Sequence, residues 1–95
     1  MIERHVTFEV HPDSATQFEA FIAEAYRPAM ASMPGYAGVS LLRAQARPAE
    51  YQLVIRFESM ATAAAWRASD AHQALSPQLK ALSSGSQVQV YDVVE

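Results

Sequence analysis

A chain of 95 residues, 51% hydrophobic and 18% charged, is a single small globular domain with room for a modest core. Seven Lys or Arg against ten Asp or Glu give a net charge of -3 with no basic run, so neither a nucleic-acid backbone nor an anionic membrane surface is an expected partner. Cysteine is absent, which removes disulfides, thiolate nucleophiles and cysteine-ligated metal, and no apolar run is long enough to cross a bilayer, so a soluble cytoplasmic protein is expected.

Residues 2–11 alternate, with Ile2, Arg4, Val6, Phe8 and Val10 on one face and Glu3, His5, Thr7, Glu9 and His11 on the other, which predicts a first strand. His11-Pro12-Asp13 ends it. Ser14 with Gln17 forms a capping box ahead of Phe18, Phe21, Ile22, Ala25 and Ala29, the apolar face of a helix. Pro28 has no N–H for the Glu24 carbonyl, so this helix is expected to bend or loosen near Glu24 before Pro34-Gly35 closes it. Residues 36–46 and 51–59 read as an antiparallel hairpin about the turn Arg47-Pro48-Ala49-Glu50. Ser59 caps an alanine-rich helix carrying Trp66. Extended to Leu75, its stripe of Met60, Ala64, Ala71 and Leu75 has Arg67 in the middle. A broken helix is therefore predicted, with new starts at Asp70, boxed with Gln73, and at Ser76-Pro77. Residues 87–94 alternate again as the last strand.

This order, strand, helix, strand, strand, broken helix, strand, is the α+β ferredoxin-like arrangement with a four-stranded antiparallel sheet, in one domain spanning residues 1–95. Two helices cover one face of such a sheet. Leu42 opposite Val39 and Leu41, Val54 opposite Leu53, Ile55 and Phe57, and Tyr91 and Val93 opposite Val88 and Val90 make both faces apolar by pattern. A second copy stacked sheet to sheet would cover the other face, and a homodimer is expected.

Gly35, Gly38 and Gly85 fit no dinucleotide or phosphate-loop spacing, so no nucleotide cofactor is expected. His5 and His11 stand six apart on one strand, about 20 Å, too far to share a metal, and no metal site is assigned. His72 follows Asp70 at the start of a helical turn, where free amides disfavour the imidazolium. A neutral imidazole there serves either as a general base beside a cavity or as a plain helix-end residue. Trp66, the only tryptophan, sits among alanines that leave space around its ring. Arg56, flanked by Val54, Ile55 and Phe57, needs a carboxylate from Glu58, Glu3 or Glu9. Phe18, Phe21, Tyr26, Met30 and Met33 line or plug the space between the first helix and the sheet.

Three segments, Met33-Pro34-Gly35-Tyr36-Ala37-Gly38-Val39-Ser40-Leu41-Leu42-Arg43, Tyr51-Gln52-Leu53-Val54-Ile55-Arg56-Phe57-Glu58-Ser59 and Trp66-Arg67-Ala68-Ser69-Asp70-Ala71-His72, resemble the antibiotic biosynthesis monooxygenase domain. The resemblance implies a dimeric alpha/beta barrel of two ferredoxin-like sheets, each subunit keeping a pocket between sheet and helices. It also implies a cofactor-free monooxygenase that uses dioxygen on a small aromatic molecule such as a phenol, anthrone or hydroquinone. His72 matches the family's histidine and would be the base, Trp66 would wall the pocket, and Arg56 or Tyr51 would donate to the developing oxyanion. Leu53 and Phe57 stand where polyketide-oxidising members carry Asn and Trp, and with Phe21 and Tyr26 they are the expected substrate contacts. Heme-degrading members place an Asn and an axial His where this chain has His5 and Ser76, so heme binding by that geometry is not implied. A non-catalytic dimeric small-molecule-binding module and a heme-handling oxygenase with displaced ligands remain as alternatives.

Overall fold

The computed structural model describes residues 1–95, with residues 85 and 86 described by backbone alone. Strand β1 (Ile2–Glu9) leads through a short 3-10 turn (Pro12–Ser14) into α1 (Ala15–Phe21), a π turn (Ile22–Tyr26) and α2 (Arg27–Ala31). The hairpin β2 (Tyr36–Arg43) and β3 (Glu50–Phe57) follows, then α3 (Met60–Ala68), α4 (Asp70–Leu82) and β4 (Ser84–Asp92). The four strands form one antiparallel sheet in the order β2-β3-β1-β4, the ferredoxin-like topology.

Register decides which side chains meet the helices. Val6 pairs with Leu53 and Val88, and Phe8 with Tyr51, so the even residues of β1 and the odd residues of β3 share one face. That face, with Phe18, Ile22, Met30, Ala63 and Trp66 from the helices, forms a continuous core. The π turn falls where Pro28 leaves the Glu24 carbonyl without its amide. The wider turn rotates the helix so that Tyr26 and Met30 are buried along with Phe18 and Ile22. At the other end of the core, Gly35 has φ +80°, and a Cβ there would stand 2.6 Å from the Thr62 side chain.

Helix starts differ in part from expectation. Ser59 caps α3 as predicted, completing a capping box with Thr62. Ser14 makes no side-chain cap, because the 3-10 turn capped by His11 already leads into α1. The cap of α4 is Ser69, not Asp70, since Ser69 holds the extended backbone a cap requires and its Oγ accepts from the His72 amide at 3.1 Å. Ser76-Pro77 starts nothing. The helix runs through Pro77, whose missing amide would have met the carbonyl of exposed Gln73, where solvent can serve that acceptor instead.

The face turned from the helices is mixed rather than apolar. Leu42, Val54 and Tyr91 lie on it, but they are interspersed with a polar network. Gln52 Nε2 donates to His5 Nδ1 at 3.2 Å, His5 Nε2 donates to Glu3 at 2.6 Å, and Arg56 Nε donates to the other Glu3 oxygen. The His5 bond first, and Arg56 after it, hold the Glu3 carboxyl below its usual pKa. Val39 and Leu41 point to the helices, so β2 gives the mixed face one large apolar residue, Leu42.

Candidate active site

Between β1, β4 and the inner side of α4 lies an open-mouthed cavity of about 380 Å³, within the range of small-molecule sites. Its floor is Val6, Phe8, Leu53 and Ile55, the core face of the sheet, and Val88 extends it along β4. Its rim is polar, with Arg4, Arg67, His72, Ser76 and Lys80 reaching it, while buried Tyr26 lines it from within.

His72 is placed by the break between α3 and α4. Ser69 Oγ donates to the Trp66 carbonyl at 2.7 Å and accepts from the His72 amide, so one side chain ends one helix and starts the next. The His72 ring then rests edge-on against Trp66, centroids 5.1 Å apart, with Tyr26 edge-on to Trp66 at 5.5 Å and to His72 at 6.1 Å. Partial burial pushes the His72 pKa below its ordinary value, and the cations Arg67, Arg4 and Lys80 add to this against a weaker opposing pull from the Arg67 backbone. The imidazole is therefore neutral at pH 7, as the sequence suggested, though burial rather than the helix terminus is the first cause. Burial likewise raises the Tyr26 pKa, so its phenol remains a hydrogen-bond donor through neutral pH.

The sequence-derived residues divide clearly. His72, Tyr26 and Leu53 line the cavity, and Trp66, 1% exposed, stands directly behind His72 and Tyr26. The indole N–H has no hydrogen-bond partner among the described residues. Phe21 packs on Tyr26 one layer further in, centroids 6.0 Å apart. Phe57 is fully buried at the far end of β3 against Tyr36. Tyr51 also leaves the cavity, its hydroxyl donating to Glu19. Arg56 lies on the opposite face of the sheet, bound to Glu3, because even-numbered positions of β3 point away from the helices. Neither Arg56 nor Tyr51 is brought to His72. Sequence reading passed over Arg4, whose signal was a lone charge within the apolar alternation of β1.

No group of three or more His, Asp or Glu side chains among the described residues is placed to hold a metal. No helix among them is long and apolar enough to cross a membrane.

Residues 1–78 match the family described as antibiotic biosynthesis monooxygenase. The chain belongs to this family. Among solved structures, a Bordetella bronchiseptica protein assigned to the antibiotic biosynthesis monooxygenases is 27% identical with a TM-score of 0.88, covering 99% of this chain and 97% of that one. A Caulobacter crescentus protein with the same assignment is 22% identical, TM-score 0.88, covering 99% and 90%. SnoaB from Streptomyces nogalater, described as a cofactor-independent oxygenase, is 21% identical, TM-score 0.87, covering 99% and 93%. No curated protein sequence matches the chain.

Proposed function

We propose that the cavity is the active site of a cofactor-independent monooxygenase oxidising a small phenolic, anthrone or hydroquinone-type molecule with dioxygen. The observation that carries this reading is a neutral, partly buried imidazole at the rim of an apolar-floored cavity, backed by Trp66 and Tyr26. Membership of the monooxygenase family supports it, as does the shared fold of SnoaB.

The chemistry needs little beyond a base and a place for negative charge. With an anthrone, His72 removes a proton from the ring CH2 and the resulting anion passes one electron to dioxygen. Radical and superoxide join in a new C–O bond, and the imidazolium returns its proton to the peroxide. His72 then removes the remaining hydrogen of that carbon as the O–O bond breaks, the proton leaving with the departing hydroxide as water and the C–H electron pair forming the second quinone carbonyl, so anthrone and O2 become anthraquinone and water. We assign to the Tyr26 phenol, neutral and lining the cavity, the donation to the developing oxyanion that the resemblance gave to Arg56 or Tyr51. The apolar floor receives the planar ring and excludes water from the intermediate.

We read the working unit as a homodimer. Leu42 and Tyr91 on the mixed face are each more than two-fifths exposed, apolar positions suited to a second copy.

Oxygen uptake with a panel of anthrones and hydroquinones tests the function, measured against the buffer rate. At least one substrate should be consumed faster with protein, and His72→Ala should lower kcat by a factor on the order of 10²–10⁴. If every substrate is inert, or turnover survives His72→Ala, a binding module replaces the enzyme.

A further inference from the structure

We infer that the substrate of this cavity carries an oxyanion, a carboxylate or a phosphate, held by Arg4 and Arg67 at the rim while its ring system lies on the apolar floor. The inference rests on the reading that the cavity is where the substrate sits. The chain is acidic overall, yet the cavity gathers Arg4, Arg67 and Lys80 beside His72 and is lined by no Asp or Glu. Elsewhere Arg43 meets Glu19, Arg47 meets Glu50 and Arg56 meets Glu3, while Arg27, exposed on α2, has no carboxylate within ion-pair distance among the described residues. Among the described residues no carboxylate lies within ion-pair distance of Arg4, Arg67 or Lys80.

Arg4 is the decisive residue. It occupies a core-facing position of the central strand, between Ile2 and Val6, and its cross-strand neighbours are Ile55 and Val90. None of these four can accept a hydrogen bond from a guanidinium through its side chain. An arginine partly withdrawn from water and lacking a counter-ion costs folding free energy, and neighbouring Arg67 adds like-charge repulsion. A bound oxyanion removes both penalties, and the planar guanidinium fork fits a carboxylate or phosphate through paired N–H bonds. Arg67 and Lys80, exposed on α3 and α4, bring further positive charge to the mouth.

Calorimetric titration with 2-naphthoate, 2-naphthyl phosphate and the neutral 2-naphthamide tests this directly. At least one of the two anions should bind about tenfold or more tightly than the amide, the tighter naming the oxyanion, with affinity falling as salt rises. The preference should shrink several-fold in Arg4→Met, return in part in Arg4→Lys, and persist in Arg47→Gln, an exposed turn residue remote from the cavity. Arg67→Gln, at an exposed helical position, reports on the same cluster should Arg4→Met fail to fold. Equal affinity for anions and amide, no binding of any probe, or a preference unchanged in both Arg4→Met and Arg67→Gln overturns the inference. Binding is read without turnover, so selective anion binding by a protein that consumes no oxygen removes the oxygenase and leaves this site standing. Turnover without anion preference does the reverse.

Discussion

A single imidazole sets the pH behaviour expected of this site. The His72 pKa lies below the ordinary histidine value because burial and the cations Arg67, Arg4 and Lys80 disfavour its charged form. As a base it must be neutral, so kcat/KM should hold constant through pH 7 and fall only as pH drops below about 6.5 toward the depressed value. A profile already falling above pH 7 would contradict this. The same shift links to stability. Below the unfolded-state value the unfolded chain binds a proton that the folded chain does not, so stability falls as pH falls across the interval between the two pKa values. Glu3, lowered chiefly by its His5 hydrogen bond, acts in the same direction at more acid pH: its stabilisation is present above the unfolded carboxyl pKa and is lost as pH falls through the folded one. Behind His72, Trp66→Ala should cost about 3–5 kcal/mol by emptying the core, read from denaturant midpoints. Gly35→Ala should cost at least about 2 kcal/mol, because a positive φ and the Thr62 side chain both oppose the new methyl group.

The elements carry the site through two irregularities, both announced by the sequence, the second with its cap one residue off. Pro28 announces a loosened turn, and the π turn it permits brings Tyr26 inward to the cavity. The start of α4 was misplaced by one residue because Ser69 and Asp70 are both good capping types, and backbone conformation alone separates them. Pro77 misled for a related reason: sequence flags the missing amide but cannot say that the orphaned carbonyl sits at exposed Gln73. Strand alternation divided the faces correctly, yet Arg4, Arg56 and Tyr51 needed register and side-chain partners before their places were clear. Ser69→Ala tests the junction. Losing the cap should cost about 1 kcal/mol, a fall in Tm of roughly 4–8 °C. As a positioning residue, Ser69 should affect kcat more than KM, with Ser69→Thr restoring most of the loss; an unchanged ratio would make its role structural only.

The whole molecule is a thin sheet with helices on one face, and the apolar positions left exposed argue for a second copy. Sedimentation at micromolar concentration should give twice the 10.4 kDa chain mass, and a persistent folded monomer would remove the dimer. The expectation that the second face wants apolar cover was too simple, because one-letter patterns cannot foresee that Glu3, His5, Gln52 and Arg56 would satisfy one another across two strands. Fold, by contrast, was legible early, since order and alternation of the strands suffice for the topology, and the family through the resemblance of residues 33–43, 51–59 and 66–72. The chemistry of the cavity is the central claim, and isotopic oxygen addresses it most directly. With an anthrone under 18O2, the wild-type protein should form quinone above the buffer rate with one labelled oxygen per molecule, and His72→Gln should reduce that rate to background. Quinone formed no faster than in buffer, label arriving from water instead, or a His72→Gln protein as active as wild type would contradict it.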